Sequence, residues 1–185
     1  MPDLVTAIAQ RLHAHGCRHA FGIPGGEVLA IMDALQRAGV AFHLCKHENA
    51  GGFMAEGTFH ATGAPGILLA TIGPGLVNGV NSVANAWQDQ VPLIVLSGCV
   101  DAVDAATYTH QVFDHRALMA PITKATLTAL DGAVDVIVDR ALAIATADPQ
   151  GPVHIDIPIG LAGKDQGPPP RALPPPEAPL APPPA

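Results

Sequence analysis

Charged side chains are scarce in this sequence: Asp, Glu, Lys and Arg make up 14% of the 185 residues, against 49% that are hydrophobic. A surface so poor in charge leaves apolar area to be covered, which points to an oligomer or to further domains. Clusters of Lys and Arg are absent, and with a net charge of -7 the chain carries no electrostatic footprint for nucleic acid or an anionic membrane. Neither partner is expected. Three cysteines, Cys17, Cys45 and Cys99, stand far apart with no CxxC spacing. The opening stretch MPDLVTAIAQRLHAHG lacks the unbroken apolar core of a signal peptide or membrane span. The expected compartment is the reducing cytoplasm.

Several signatures of common chemistries are missing as well. HENAG places Gly51 where the zinc-peptidase pattern HExxH needs a second histidine, and no GxxxxGK[ST] occurs. Gly73, Gly75 and Gly79 follow GxGxxxG instead of GxGxxG, so the dinucleotide reading is weak and, for this segment taken alone, a tight turn with close packing is the better explanation. There is no GxSxG elbow, and Ser97 in VLSGC reads as buried at a strand end.

What is present is a rhythm. The runs HAFGI, AFHLC, GILLAT, PLIVLSG, ITKATL and PVHIDI are brief, continuously apolar and bounded by Gly or Pro, which predicts buried strands. Between them, Asp3 to His15, Gly26 to Ala38, Asn49 to Thr62, Leu76 to Gln88 and Gly132 to Ala147 repeat apolar residues three and four apart, which predicts helices. Strand and helix in alternation make an α/β fold, a parallel sheet of about six strands with helices on both faces. Residues 1–163 suffice for one such domain. The interval Val100 to Ala120 breaks the rhythm, as functional loops do. Residues 164–185 hold ten of the 19 prolines and no periodicity, and are expected to form an extended Pro-rich linker to further domains. A docking segment for an SH3-type module is the competing reading.

Glu48 follows AFHLC at the carboxyl end of a strand, where open parallel sheets form ligand crevices. Taken alone, a helix-start carboxylate stabilised by the helix dipole fits that position equally well. FGIPGG (Phe21 to Gly26), KHENAGG and IGPG follow three successive strands, so their glycine turns converge on one rim of the sheet. THQVFDH (Thr109 to His115) groups histidines with Gln111 and Asp114, but this mixed spacing matches no metal-ligand pattern. A solvated or substrate-facing loop is the better reading, and no metal ligand is assigned.

In order, FGIPGG, KHENAGGFMAEG, ATIGPGLVNGVNSVANAWQDQVPLIVLSG, HQVFDHRALMAPITK and GPVHIDIPIGL resemble the N-terminal pyrimidine-binding domain of thiamine diphosphate enzymes, acetolactate synthase-like group, over about residues 3 to 162. The resemblance implies a flavodoxin-like, doubly wound sheet. It makes Glu48 the catalytic glutamate, whose carboxylate hydrogen-bonds a ring nitrogen of the cofactor's aminopyrimidine. It further implies that Gly25, Thr71, Pro74 and Asn78 join Glu48 in binding thiamine diphosphate, that Gly51 and Gly52 permit close approach, and that Gln111, Gly26 and His110 face the substrate. Phe53 and Met54 are expected as helix packing. The substrate implied is a 2-oxo acid, decarboxylated or ligated, in a homodimer or tetramer with the helix Asn49 to Thr62 at the protomer contact.

The family holds Mg2+ and the diphosphate with a GDG motif and paired asparagines, whereas the one Asp-Gly here, Asp131-Gly132, has no such context. The chain by itself is therefore expected to be inactive. FAD is compatible with the resemblance, but no residue here calls for it. Standard acetolactate synthases carry Arg, Phe and Lys where this sequence has Val103, His110 and Ile159. Gly26 and Ile72 replace the Asp and His of two decarboxylase patterns, which leaves the carboligases, lyases and oxidases of the wider group open. Two alternatives stand beside this reading: a natural subunit of a split enzyme, and a non-catalytic module that kept the fold.

Overall fold

The computed structural model describes residues 2–101 and 103–165. In chain order the elements are α1 (Leu4–Ala14), β1 (His19–Gly22), α2 (Leu29–Arg37), β2 (Ala41–Leu44), α3 (Glu48–Thr62), β3 (Gly66–Ala70), α4 (Pro74–Gln88), β4 (Leu93–Cys99), α5 (His115–Met119), β5 (Ala125–Thr128), α6 (Val134–Thr146) and β6 (Val153–Pro158). Each of the six predicted strands is present. The predicted helices are present too, except that Gly26–Val28 winds as a 3-10 turn and α2 proper begins at Leu29. The long interval contains the short helix α5 besides loop. The predicted linker from 166 on lies outside the described residues.

All strands run parallel in the order β2-β1-β3-β4-β6-β5. The chain passes from β1 outward to β2 and then returns to β3 on the other side of β1. Loops after β1 and β3 therefore leave toward opposite faces and open a crevice at this switch point.

Strand residues alternate between two cores, as period-two geometry requires. Ile67, Leu69, Ile94, Leu96, Val153, Ile155 and Ile157 pack with α1, α2 and α6. Leu68, Ala70, Leu93 and Val95 pack with α3, α4 and Met119 of α5. The central strands β3 and β4 are covered on both faces, which is why they read as unbroken apolar runs. β2 departs from the expectation of a buried strand: at the sheet edge with one neighbour it is largely exposed, Leu44 by 72%. At the chain start, the Leu4 amide donates to the Lys164 carbonyl, and Asp3 bridges Asp165.

Candidate active site

The chain leaves β2 through Cys45 to His47, an extended residue whose Nδ1 accepts the Asn49 amide at 3.2 Å and starts α3. Glu48 is thus the first helical residue, where the helix dipole favours a carboxylate by about 0.3–1 kcal/mol. It is only 5% exposed. A carboxylate so placed needs a donor. Asn78 of α4 supplies one, Nδ2 to Glu48 Oε2 at 3.1 Å, whereas Oε1 takes no donor from the described residues.

α4 begins just after β3 through Thr71, Ile72 and Gly73. Gly73 takes φ +62° and ψ -112°, a backbone region that a side chain disfavours, and Pro74 follows in the first helical turn. Thr71 stands between two glycines. A Cβ on Gly25 would lie 2.5 Å from Thr71 Cγ2, and one on Gly75 would overlap Thr71 Oγ1 and come 3.5 Å from Glu48 Oε1. The missing side chains let Thr71 pack directly against the backbone at Gly25 and Gly75, beside the carboxylate. Gly25, Glu48, Thr71 and Asn78 are therefore brought together, with Pro74 exposed on the turn above them.

The substrate-side candidates are less concentrated. Gln111 is exposed with φ +60°, and its carbonyl packs where a Gly73 side chain would be, so the long loop folds over the GPG turn. His110 is exposed and meets Tyr108 edge-on. Gly26 is exposed with nothing near its Cβ position. Phe53 and Met54 do not pack into the chain's own core as expected; they stand outward on α3, 41% and 50% exposed, because Gly51, Gly52 and Ala55 occupy the inner face.

Two clefts open farther along the same rim, both walled by Ile72. One, about 410 Å³, is lined by Glu27, Asp101, Asp104, Tyr108 and Ile159. The other, about 640 Å³, is lined by Cys99, Val103, Phe113, His115 and Asp156. Glu48 lines neither.

A buried polar network lies beside the site, and sequence reasoning missed most of it. His115 Nε2 accepts the Gly73 amide at 2.9 Å, and its Nδ1 is 2.8 Å from Asp156 Oδ1. Ser97 Oγ is 2.7 Å from both Asp156 Oδ1 and His154 Nε2. Ser97 is indeed buried at a strand end. Burial pushes the Asp156 carboxyl up, but the donors His115, His154 and Ser97 more than reverse this and hold it below the ordinary carboxylate value. The available signal was the alternation in PVHIDIP, where His154 and Asp156 fall on one face of an otherwise apolar strand. In THQVFDH, Asp114 caps α5 by accepting the Ala117 amide, and only His115 of the loop's polar residues turns inward.

Residues 2–118 match the family model for the thiamine pyrophosphate enzyme, N-terminal TPP binding domain. The chain belongs to this family. Similar curated proteins include the acetolactate synthase large subunit of Buchnera aphidicola subsp. Acyrthosiphon pisum, 34% identical over 160 residues. Acetolactate synthase large subunit IlvG of Mycobacterium tuberculosis is 35% identical over 156 residues, and the probable 2-ketoarginine decarboxylase AruI of Pseudomonas aeruginosa 33% over 159. These alignments cover 84–85% of this chain but 28% of each relative, so the chain spans little more than a quarter of their length. As a thiamine pyrophosphate enzyme N-terminal domain, it has a parallel α/β sheet with no helix among the described residues long and apolar enough to cross a membrane.

Proposed function

We propose that this chain is the pyrimidine-binding half of a thiamine diphosphate enzyme acting on 2-oxo acids by decarboxylation or carboligation, and that Glu48 is its catalytic residue. The observation that carries the reading is the buried Glu48 carboxylate at the sheet's switch point, one oxygen held by Asn78 and the other facing Gly75. The residues present fit the cofactor's pyrimidine end: it needs one acid-base group at the ring edge, and Glu48 offers a buried carboxylate with one oxygen held by Asn78 and the other without a donor among the described residues. Thiamine diphosphate, when bound, supplies a nucleophilic carbon for addition to a 2-oxo acid and a sink for the electrons released with carbon dioxide.

The chain's own residues orient and move protons. Asn78 fixes Glu48 Oε2 so that a single oxygen, Oε1, is presented, and this carboxylate would hold the pyrimidine end and exchange a proton with it. Thr71 and the turn through Pro74 would help hold the pyrimidine end beside Glu48. Leu68, fully buried beneath Gly79 and Gly52, keeps water from the inner side of the carboxylate. Gln111 and His110, on the loop over the turn, and Gly26, on the loop after β1, face the substrate. Val103 and Ile159 make cleft walls apolar where standard acetolactate synthases are cationic, which favours a 2-oxo acid other than the one those enzymes take.

Mg2+ and the diphosphate are held by another part of the enzyme, either the rest of a longer chain or a separate subunit. Phe53 and Met54 on α3 and Val77 on α4, apolar and exposed, support a homodimer or tetramer with these helices at the contact.

Two measurements test the reading. Titration calorimetry of the 185-residue chain with thiamine diphosphate and Mg2+ is expected to show no tight binding; micromolar affinity would contradict a half-site. In the assembled enzyme, Glu48→Gln is expected to slow C2 proton exchange of the cofactor by about 100-fold or more. Unchanged exchange removes Glu48 from the mechanism.

A further inference from the structure

The hydrogen bonds between His154 and Gly73 have proton positions fixed by valence. The Gly73 amide can only donate, so His115 Nε2 is bare and the ring proton sits on Nδ1, donated to Asp156 Oδ1. Ser97 has one hydroxyl proton for two neighbours. Given to Asp156, it leaves the hydroxyl oxygen to accept from His154 Nε2, and His154 Nδ1 remains the buried side-chain nitrogen or oxygen without a partner among the described residues. The donors then converge on the Asp156 carboxylate from two sides, His154 through Ser97 and the Gly73 amide of the GPG turn through His115.

The same valence argument decides against a metal ion here. His115, His154 and Asp156 offer ligand atoms within 4.8 Å of one another. A metal on His115 Nδ1 would displace the ring proton to Nε2, where it would meet the Gly73 N–H head-on. The cluster is built to set a tautomer.

We propose that Asp156 and His115 are positioning residues for the pyrimidine pocket: Asp156 fixes the His115 tautomer, and His115 holds the buried Gly73 amide and with it the turn from Thr71 to Pro74 beside Glu48. The proposal rests on the Glu48 reading above. Gly73 is where the turn is least self-supporting, since its conformation is unusual and its amide has no partner of its own in α4. The Gln111 carbonyl presses on the same residue, so one buried histidine ties both the GPG turn and the long loop to β6. Loss of this tie lets Thr71 and Asn78 drift while the core on either face stays intact.

The test has two arms. In the 185-residue chain, ¹⁵N NMR is expected to show His115 as the Nδ1–H tautomer and slow hydrogen exchange at the Gly73 amide. Asp156→Asn, whose amide can donate to Nδ1, is expected to switch the tautomer and speed Gly73 exchange with the spectrum otherwise dispersed. His115→Gln, which keeps an acceptor near Nε2, is expected to restore protection that His115→Phe loses, and this pair carries the test if Asp156→Asn does not fold. In the thiamine diphosphate-loaded enzyme, Asp156→Asn is expected to slow C2 proton exchange by about 10- to 100-fold, the scale of a small misplacement at a reacting centre.

An unchanged tautomer and unchanged Gly73 exchange overturn the proposal. So does a freed Gly73 amide with normal C2 exchange, which would make the network structural only. A Glu48→Gln enzyme with normal exchange would refute the Glu48 reading instead, and would leave the tautomer and amide results standing.

Discussion

Replacing Gly52 with alanine would drive a methyl group into Ser82, where α3 and α4 run side by side. The new Cβ would stand 2.6 Å from Ser82 Cβ and overlap Ser82 Oγ, while Leu68 Cδ2 at 3.6 Å would be an ordinary contact. Carbon atoms rest at about 3.5–4.0 Å, so the helices must part by about 1 Å at this crossing. Ser82 cannot swing away, because it is fully buried and its hydroxyl donates to the Gly79 carbonyl at 2.9 Å. Overpacking of this kind destabilises by about 1–3 kcal/mol. Alanine's better helix propensity returns about 1 kcal/mol of that.

Because these effects oppose each other, the decisive quantity is a coupling. Ser82→Gly removes both clashing atoms, so in the double variant the steric penalty vanishes while alanine's propensity gain remains. The double variant should be more stable than the sum of the singles by about 1–3 kcal/mol. Urea unfolding of the four proteins measures this directly. Asn78 lies one turn before Ser82, so the single variant should also disturb its 3.1 Å bond to Glu48, visible as a shifted Asn78 side-chain amide resonance that the double variant restores. Single effects that add within about 0.5 kcal/mol would refute the close crossing.

Leu68→Ala, at a fully buried position on the central strand β3, should lose about 2–5 kcal/mol in urea unfolding, and a loss below about 1 kcal/mol would mean the site-side core is loosely packed. Gly73→Ala meets both a positive φ and the Gln111 carbonyl; the backbone term alone is about 1–2 kcal/mol, and limited proteolysis should cut faster within residues 103–114. Asp156 has a native carboxyl held below its ordinary 3.8, so the unfolded chain binds more protons; the stability it contributes is present above that value and is lost as pH falls toward the native one. Asp156→Asn should therefore flatten the acid limb of the stability curve, and an unchanged limb would count against the network. Cys17 is fully buried with its thiol pushed up to about 12, so a disulfide reagent near pH 8 should leave it unreacted in the native chain and modify it in urea; native reaction at the free-thiol rate would contradict its burial.

The strands were legible in the sequence for a physical reason: GILLA and LIVLSG are covered on both faces, so no polar residue interrupts them until the rim. The start of α3 was legible to within one residue because the apolar run ends at Cys45, just before the polar stretch Lys46, His47 and Glu48. Pairing across elements was not, since Glu48 and Asn78 lie 30 residues apart and meet only through the register of two parallel helices. The resemblance supplied that pair, and spacing alone could not.

The His115 network shows a signal that the apolar-run reading passes over. In VHIDIP the polar residues recur at period two, so His154 and Asp156 share the face opposite the Val153, Ile155 and Ile157 core. Buried polar groups on one face oblige neighbouring elements to supply partners. Ser97 does so from β4, and His115 does so from a five-residue helix whose sequence has no periodicity to announce it. The rim is thereby pinned at two points, Glu48 by Asn78 and Gly73 by His115. The residues that break the apolar pattern are the ones that pin the rim.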